Sequence, residues 1–362
     1  MKQVKKLPLT KECHHWRRLG EVPWDLQKYW QQRHTIFSNY NEGIYMTHDA
    51  WYGVTPEPVA IQIANDLDAV FPLSRTTIVD AFAGVGANAI SFALQPHPED
   101  AARRRWDRVV AVERDPSALA CALHNAALHG VADSIIWVLG DSFEYLGAAL
   151  AGHSRQPTSG SRGPRSDSSS RSSSNSLKLG SDGTKEGRKR KRHHHLHAAG
   201  GGSDADGDAD GDADADGALL TEDLRLDPDA TVVFASPPWG GPGYSTDAVF
   251  NLDTMEPYNL ARLHGAYAAV DHALYLPRTS DLRQIARLAP PRGEGGGDDG
   301  NSGSNKRRGD GNEGGRTGGG DSGYKKIEVV QYCVEGASKA LVAYIPAAEP
   351  HIRNSDVNTE GT

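Results

Sequence analysis

Cysteine is scarce: the 362 residues hold three, Cys13, Cys121 and Cys333. None stands at a paired spacing, which excludes a disulfide framework and a cysteine-rich metal site and suggests a reducing compartment. Nowhere do about 18 apolar residues run together, and no apolar signal-like segment opens the chain. We therefore expect a soluble intracellular protein without membrane contact. Broad positive charge is also missing. The net charge is −8, whereas a protein that grips long nucleic acid without sequence preference is broadly basic. Any nucleic-acid contact should then be local. The one basic concentration outside the low-complexity segments is Lys2, Lys5, Lys6, Lys11, Arg17 and Arg18 against Glu12.

Apolar residues are nearly absent from two long stretches. Residues 151–218 run through Ser/Gly/Arg-rich and basic sequence into DADGDADGDADAD, and residues 291–323 are dominated by Gly and charge. Neither can bury enough surface to offset its ordering entropy, so both read as disordered insertions. Their charges nearly cancel: 11 Lys/Arg against 10 Asp/Glu in the first and 5 against 6 in the second. Within the first, GRKRKRHHH (187–195) has the composition of a nuclear-import signal, or of a solvated linker. What remains is about 250 residues, enough for one α/β domain with an added element. We divide it into an N-terminal helical extension (1–55), a domain over 56–349 interrupted by the two insertions, and a flexible tail (350–362).

The remaining sequence alternates two patterns. TTIVDAF (76–82), RVVAVE (108–113), SIIWVLG (134–140), ATVVFAS (230–236) and HALYLP (272–277) are short β-branched or apolar runs suited to buried parallel strands. Helix patterns fall at 87–94, 116–129 and about 256–270, and KKIEVVQYCVEG followed by SKALVAYIP reads as an antiparallel pair. This is the succession of a doubly wound sheet, whose ligands sit at the carboxyl ends of the strands.

Chemistry-bearing residues gather at those ends. The first strand runs into DAFAGVGAN (80–88), where Gly84 and Gly86 let the backbone approach a ligand before a helix begins. The full G-x-G-x-x-G spacing and a phosphate-binding lysine are both lacking, which disfavours a dinucleotide or nucleoside triphosphate. The second strand ends in VAVERDP, where Glu113 is placed to bind both hydroxyls of a ribose, while Asp115 before Pro116 has the make-up of a helix cap. The third ends in GDSF, where Asp141 either accepts from an adenine amino group or caps the next helix. Together these favour an adenosyl ligand without phosphates, hence S-adenosylmethionine.

The fourth strand ends in SPPWGGPGY (236–244). SPPW resembles the signature of methyltransferases that act on exocyclic amino groups. Consecutive prolines fix φ and remove two N–H donors, leaving carbonyls to accept from an amine. Trp239 offers a flat face for a base, and stacking gives about 1–3 kcal/mol per base, with about 2 kcal/mol or more for a desolvated cation over the ring. The alternative is a Trp packed into the core after a turn.

The longer string resembles the trimethylguanosine synthases, the RNA-cap hypermethylases. KYWQQRHTIFSNYNEGIYMTHDAWYGVTPEPVA (28–60), DAFAGVGANAISFAL (80–94) and LPRTSDLRQIARLA (276–289) extend the likeness over most of the chain outside the insertions. The resemblance implies a class I, Rossmann-like, S-adenosylmethionine-dependent methyltransferase sheet. It implies transfer of two methyls to N2 of the 7-methylguanosine cap of small nuclear and nucleolar RNAs, in the nucleus, by a monomer. Cofactor contacts would come from Thr55, Asp80, Ala83, Gly84, Gly86, Asn88, Glu113 and Asp141. Ser236 and Pro237 would orient the amine and Trp239 would hold the base, with Lys28, Arg33 and Phe37 on the substrate side. Lys28 as an exposed surface lysine, Thr55 as a helix cap and Phe37 as packing of the extension are the alternatives at those positions.

The chain departs from the family where Glu113 replaces its usual Asp, and where Ala83-Gly84-Val85-Gly86-Ala87 replaces Cys-Gly-Val-Gly-Gly. The longer Glu puts ribose geometry in question more than the assignment. Two rival readings are an amino-methyltransferase for adenine or guanine in rRNA or DNA, and an inactive cap-binding protein of RNP assembly. The first usually carries Asn or Asp before the prolines; the second need not retain the cofactor.

Overall fold

A computed structural model describes residues 1–151, 224–240, 248–289 and 326–348. Nearly all of the two low-complexity stretches, the basic run 187–195, residues 241–244 of the aromatic turn and the tail 350–362 lie outside the described residues.

The chain opens with β1 (Lys2–Val4) and then the short helices α1 (Gln27–Trp30), α2 (Arg33–Ile36) and α3 (Ala50–Gly53). Next come α4 (Glu57–Val70), β2 (Thr77–Asp80), α5 (Ala87–Leu94), a hairpin of β3 (Pro96–His97) and β4 (Asp100–Arg104), β5 (Arg108–Glu113), α6 (Pro116–Leu128), β6 (Ile135–Leu139) and α7 (Ser142–Leu150). Beyond the first gap lie β7 (Thr231–Ala235), α8 (Leu260–Tyr267), β8 (Asp271–Pro277), α9 (Leu282–Ala286), β9 (Glu328–Val334) and β10 (Ala337–Ile345). The main sheet runs β1-β6-β5-β2-β7-β8-β10-β9. Its five central strands are parallel, and β1, β10 and β9 join antiparallel.

Apolar runs without alternation make these central strands because both faces are covered. Successive side chains go to opposite cores: Ile78, Val109, Ala111, Val232, Phe234 and Tyr275 to one, Val79, Val110, Val112, Val233, Ala235 and Leu276 to the other. The first core is closed by α4, α5, α6 and the N-terminal extension, the second by α7, α8 and α9. The expected doubly wound α/β class I sheet is what forms.

The extension holds three four-residue helices and two 3-10 turns, with turns and irregular chain between them. β1 pairs with β6, Lys2 opposite Leu139, so the first residues belong to the main sheet. Pairing of three residues depends on an edge supplied by the fold, and nothing in KQV alone announces it.

Across the first gap the chain is stitched at both lips. The Tyr145 hydroxyl donates to the Leu224 carbonyl at 3.1 Å, and the Leu226 amide donates to the Ala149 carbonyl at 3.1 Å.

Candidate active site

Strand order reverses between β2 and β7, the switch point at which a doubly wound sheet opens a crevice. The loop after β2 and the turn after β7 therefore leave the sheet side by side. The Ala81 amide donates to the Phe234 carbonyl at 2.9 Å, and the Ser236 hydroxyl lies 3.5 Å from the Phe82 carbonyl.

The loop is held from the β5 side. The Ala83 amide donates to the Val112 carbonyl at 2.9 Å and the Gly84 amide to Glu113 Oε2 at 2.9 Å, while Glu113 Oε1 accepts from the Asp115 amide at 2.8 Å. Burial raises the Glu113 pKa, and the Asp115 and Gly84 amides act against that rise. Gly84 and Gly86 have φ of +51° and +94°. At Gly86 an added Cβ would also come within 3.2 Å of Ala122 Cα and Cβ on α6, so this position needs glycine twice over.

Asp80 closes β2 with no exposure at all. Burial lifts its pKa to about 7; the Phe82 amide opposes the shift and the Glu113 charge adds to it. Its Oδ2 has no partner among the described residues. Asn88, at the start of α5, donates to the Thr55 hydroxyl at 3.1 Å, and its Oδ1 is likewise unpartnered. Thr55 is 2% exposed and does not cap α4, whose first turn begins after Pro56 without a side-chain cap. Two buried acceptors lacking donors, beside backbone bent around glycines and next to Glu113, fit a ligand that brings an ammonium group and a ribose diol. S-adenosylmethionine carries both.

The helix-cap alternatives are realised at two acids. Asp115 accepts from the Ser117 amide at 2.8 Å with Pro116 in the first turn of α6. Asp141 accepts from the Phe143 and Glu144 amides at 2.8 and 3.2 Å, all through Oδ1. Capping does not use up Asp141, since each carboxylate oxygen carries two acceptor sites.

Trp239 is partly buried and packs against both cores. Its ring lies 5.4 Å from that of Tyr275 at an interplanar angle of 21°, and its Nε1 donates to the Tyr275 carbonyl at 3.2 Å. The packing and platform readings are thus compatible: one strand residue fixes the indole's orientation. Pro237 is buried, Ser236 partly so, and Pro238 exposed.

On the extension, Lys28 is exposed with Nζ 4.7 Å from the Tyr29 ring centre. Arg33 lies 3.8 Å over the Trp30 ring and donates to the Trp30 carbonyl at 3.3 Å, so its guanidinium is engaged within the extension. Phe37 is 3% exposed and lines a cleft with Ile61, Ala87, Ile90 and His129, the packing alternative named above. Gln32 brings this lobe to the site: its Nε2 donates to the Lys28 carbonyl at 3.1 Å, and Lys339 Nζ donates to its Oε1 at 3.4 Å. Lys339 precedes Ala340, which pairs with Pro277 at the carboxyl end of β8, two residues past Tyr275.

Sequence reasoning missed Tyr275, Lys339 and an aromatic cluster. Phe82, Phe143 and Tyr258 meet with ring centres 4.9–6.1 Å apart, and Arg262 lies over Phe143 and Tyr258 at 4.8 and 4.9 Å. Arg114 donates to the Tyr258 hydroxyl at 3.2 Å.

Comparison with known proteins agrees with this geometry. Residues 75–348 match the family described as RNA cap guanine-N2 methyltransferase. A trimethylguanosine synthase of Schizosaccharomyces pombe is 27% identical over 269 residues, 73% of this chain and 76% of its own length. The one from Saccharomyces cerevisiae is 26% identical over 266 residues, 72% of this chain and 58% of its own. Among solved structures, a putative methyltransferase from Porphyromonas gingivalis covers 74% of this chain and 45% of its own at 11% identity and a TM-score of 0.37, a likeness too slight to carry argument.

Proposed function

Since the chain belongs to the RNA cap guanine-N2 methyltransferase family, an S-adenosylmethionine-dependent enzyme acting on capped RNA, we propose how its residues divide that work and which cap they accept. The carrying observation is the junction of the two loops at the switch point, where the Ser236 hydroxyl meets the Phe82 carbonyl.

On the cofactor side, the Glu113 carboxylate binds the ribose hydroxyls with its remaining acceptor sites. Asp80 and Asn88 take the amino group, Asp141 takes the adenine amine, and the backbone of Ala83, Gly84 and Gly86 provides close approach, with Thr55 holding Asn88 in place. The cofactor supplies an electrophilic methyl on a sulfonium sulfur.

On the substrate side, Trp239 stacks on the guanine. N7-methylation makes that base cationic, so the ring favours it over unmodified guanine by about 2 kcal/mol or more. The Ser236 hydroxyl, with its proton turned towards the Phe82 carbonyl, presents lone pairs; with the Pro237 carbonyl it accepts the two N–H bonds of N2. This aims the nitrogen lone pair at the methyl. Once methylated, the amine would give up its extra proton to water. A Ser hydroxyl is too weak a base to drive that proton transfer, so rate comes from proximity and orientation.

Lys28 contacts the cap phosphates, the extension 1–55 completing that side of the pocket. We assign 7-methylguanosine caps of small nuclear and nucleolar RNAs as substrates, two transfers giving 2,2,7-trimethylguanosine, and the nucleus as the place of action. The resemblance to trimethylguanosine synthases and the basic run 187–195 support this. A monomer suffices, because one chain carries every residue named for both ligands.

Mass spectrometry of 7-methylguanosine-capped and guanosine-capped RNA, incubated with protein and cofactor, tests the assignment. One or two added methyl masses on the 7-methyl cap alone are expected. Equal methylation of both caps would remove the cation requirement, and modification of an internal adenine would favour the rival amino-methyltransferase.

A further inference from the structure

Trp24 is 87% exposed, while Trp30, Trp51, Trp106 and Trp137 are buried. Its position is fixed all the same. Val22 and Leu26, two residues to either side, are 5% and 0% exposed, and the Leu26 amide donates to the Pro23 carbonyl at 2.9 Å. A rigid turn therefore holds an indole out in water, at a cost in unburied apolar surface that a binding partner would offset.

The surrounding charge says what kind of partner. Arg17, Arg18 and Lys28 are exposed on the same run of chain. The two acids there are already engaged: Glu21 accepts from the Arg17 amide at 3.0 Å, and Asp25 accepts from the Tyr52 hydroxyl and pairs with His48 Nε2 at 3.2 Å. An aromatic face on a run of chain that carries three cations against two acids suits single-stranded nucleic acid, in which bases stack and phosphates track positive charge. The surface is also continuous with the active site through Lys28, Gln32 and Lys339, the last beside the end of β8 that carries Tyr275 and hence Trp239. Trp24 stands eight positions before Gln32 with α1 between them, a separation that suits the chain that follows the cap rather than the cap base.

We propose that Trp24 stacks on a nucleotide downstream of the cap, with Lys28 and Lys339 carrying the phosphates between it and the base on Trp239. This rests on the placement of the cap base given above. Recognition thus extends beyond the cap to an unpaired RNA 5′ end, without sequence preference, because every base offers a face.

The test compares 7-methylguanosine triphosphate with a 7-methylguanosine-capped single-stranded oligoribonucleotide, for the wild type, Trp24→Ala and Trp24→Phe. Loss of one stacked base, about 1–3 kcal/mol, predicts a KM for the oligonucleotide raised about five- to 150-fold in Trp24→Ala. Its kcat should be unchanged, as should both constants for the mononucleotide, and Trp24→Phe should restore most of the loss. Lys339→Ala should lower the salt dependence of oligonucleotide KM by about one unit of log–log slope. An unaltered oligonucleotide KM in Trp24→Ala, or an equal rise for both substrates, would overturn the proposal. Failure of the wild type to methylate either substrate would overturn the cap assignment itself, and this inference with it.

Discussion

The Gly84 amide donates to Glu113 Oε2 at 2.9 Å, so the loop after β2 is tied to the end of β5 by the same carboxylate assigned to the ribose. Removing that side chain should both strip the ribose contact and loosen the loop. In Glu113→Ala we expect cofactor affinity to fall at least about tenfold, the range for one lost charge-assisted hydrogen bond, while 7-methylguanosine triphosphate binding stays within a fewfold. Calorimetric titration of each ligand reads both, and equal loss of the two would break the division of the site. Glu113→Asp is the informative conservative change: the shorter side chain must choose between the Gly84 amide and the ribose.

Asp80 makes stability and binding run in opposite directions with pH. Its folded pKa of about 7 lies above the ordinary 3.8. The unliganded protein therefore gains stability from it in full below about pH 4 and loses that contribution as pH rises through about 7, of the order of 4 kcal/mol at 1.36 kcal/mol per unit. A cationic cofactor wants the ionised form, so its affinity should rise with pH up to about 7 and level off. Asp80→Asn should flatten that affinity profile at a weak value and raise the melting temperature of the unliganded protein at about pH 8. A wild-type affinity independent of pH between about 5.5 and 8 would take Asp80 out of the cofactor site.

Gly86→Ala places a methyl group at a φ of +94° and within 3.2 Å of the α6 backbone. The conformational cost of about 1–3 kcal/mol, increased by the clash, should lower the denaturation midpoint and weaken cofactor binding together. Gly84→Ala, at φ +51° with nothing within 4 Å, should cost less by the same chemical-denaturation measurement.

Trp239→Ala should raise KM for the 7-methylguanosine cap by about a hundredfold or more, from about 2 kcal/mol of cation attraction plus stacking, with cofactor affinity held. Tyr275→Ala, which touches the base only through the indole it supports, should raise KM several-fold and narrow the preference for the 7-methyl cap. Steady-state kinetics on both caps would show it.

Strands announced themselves where both faces are buried: RVVAVE is β5 residue for residue, and ANAISFAL is α5. β4, reading DAARR, is wholly exposed and lacks any strand-like composition, so its pairing with Pro96–His97 could come only from the chain's path. In the site, the glycines and proline turn were legible because they constrain backbone locally. Tyr275 was not, since a Tyr inside an apolar strand looks like any other core residue until β7 and β8 are known to be neighbours. Thr55 could not be settled locally either: Thr-Pro-Glu has the composition of a cap, the alternative to its cofactor-side place, yet the hydroxyl turns to Asn88, 33 positions away.

The seam at Ala149 and Leu226 separates sequence length from enzyme geometry. With its two lips sewn together, the domain is indifferent to how much chain lies between them, because doubling a loop adds only about 0.6 kcal/mol to its closure. Sequence spliced between residues 151 and 224 joins two points already held together, so a tag inserted there should leave the chemistry at Ser236 and Glu113 alone.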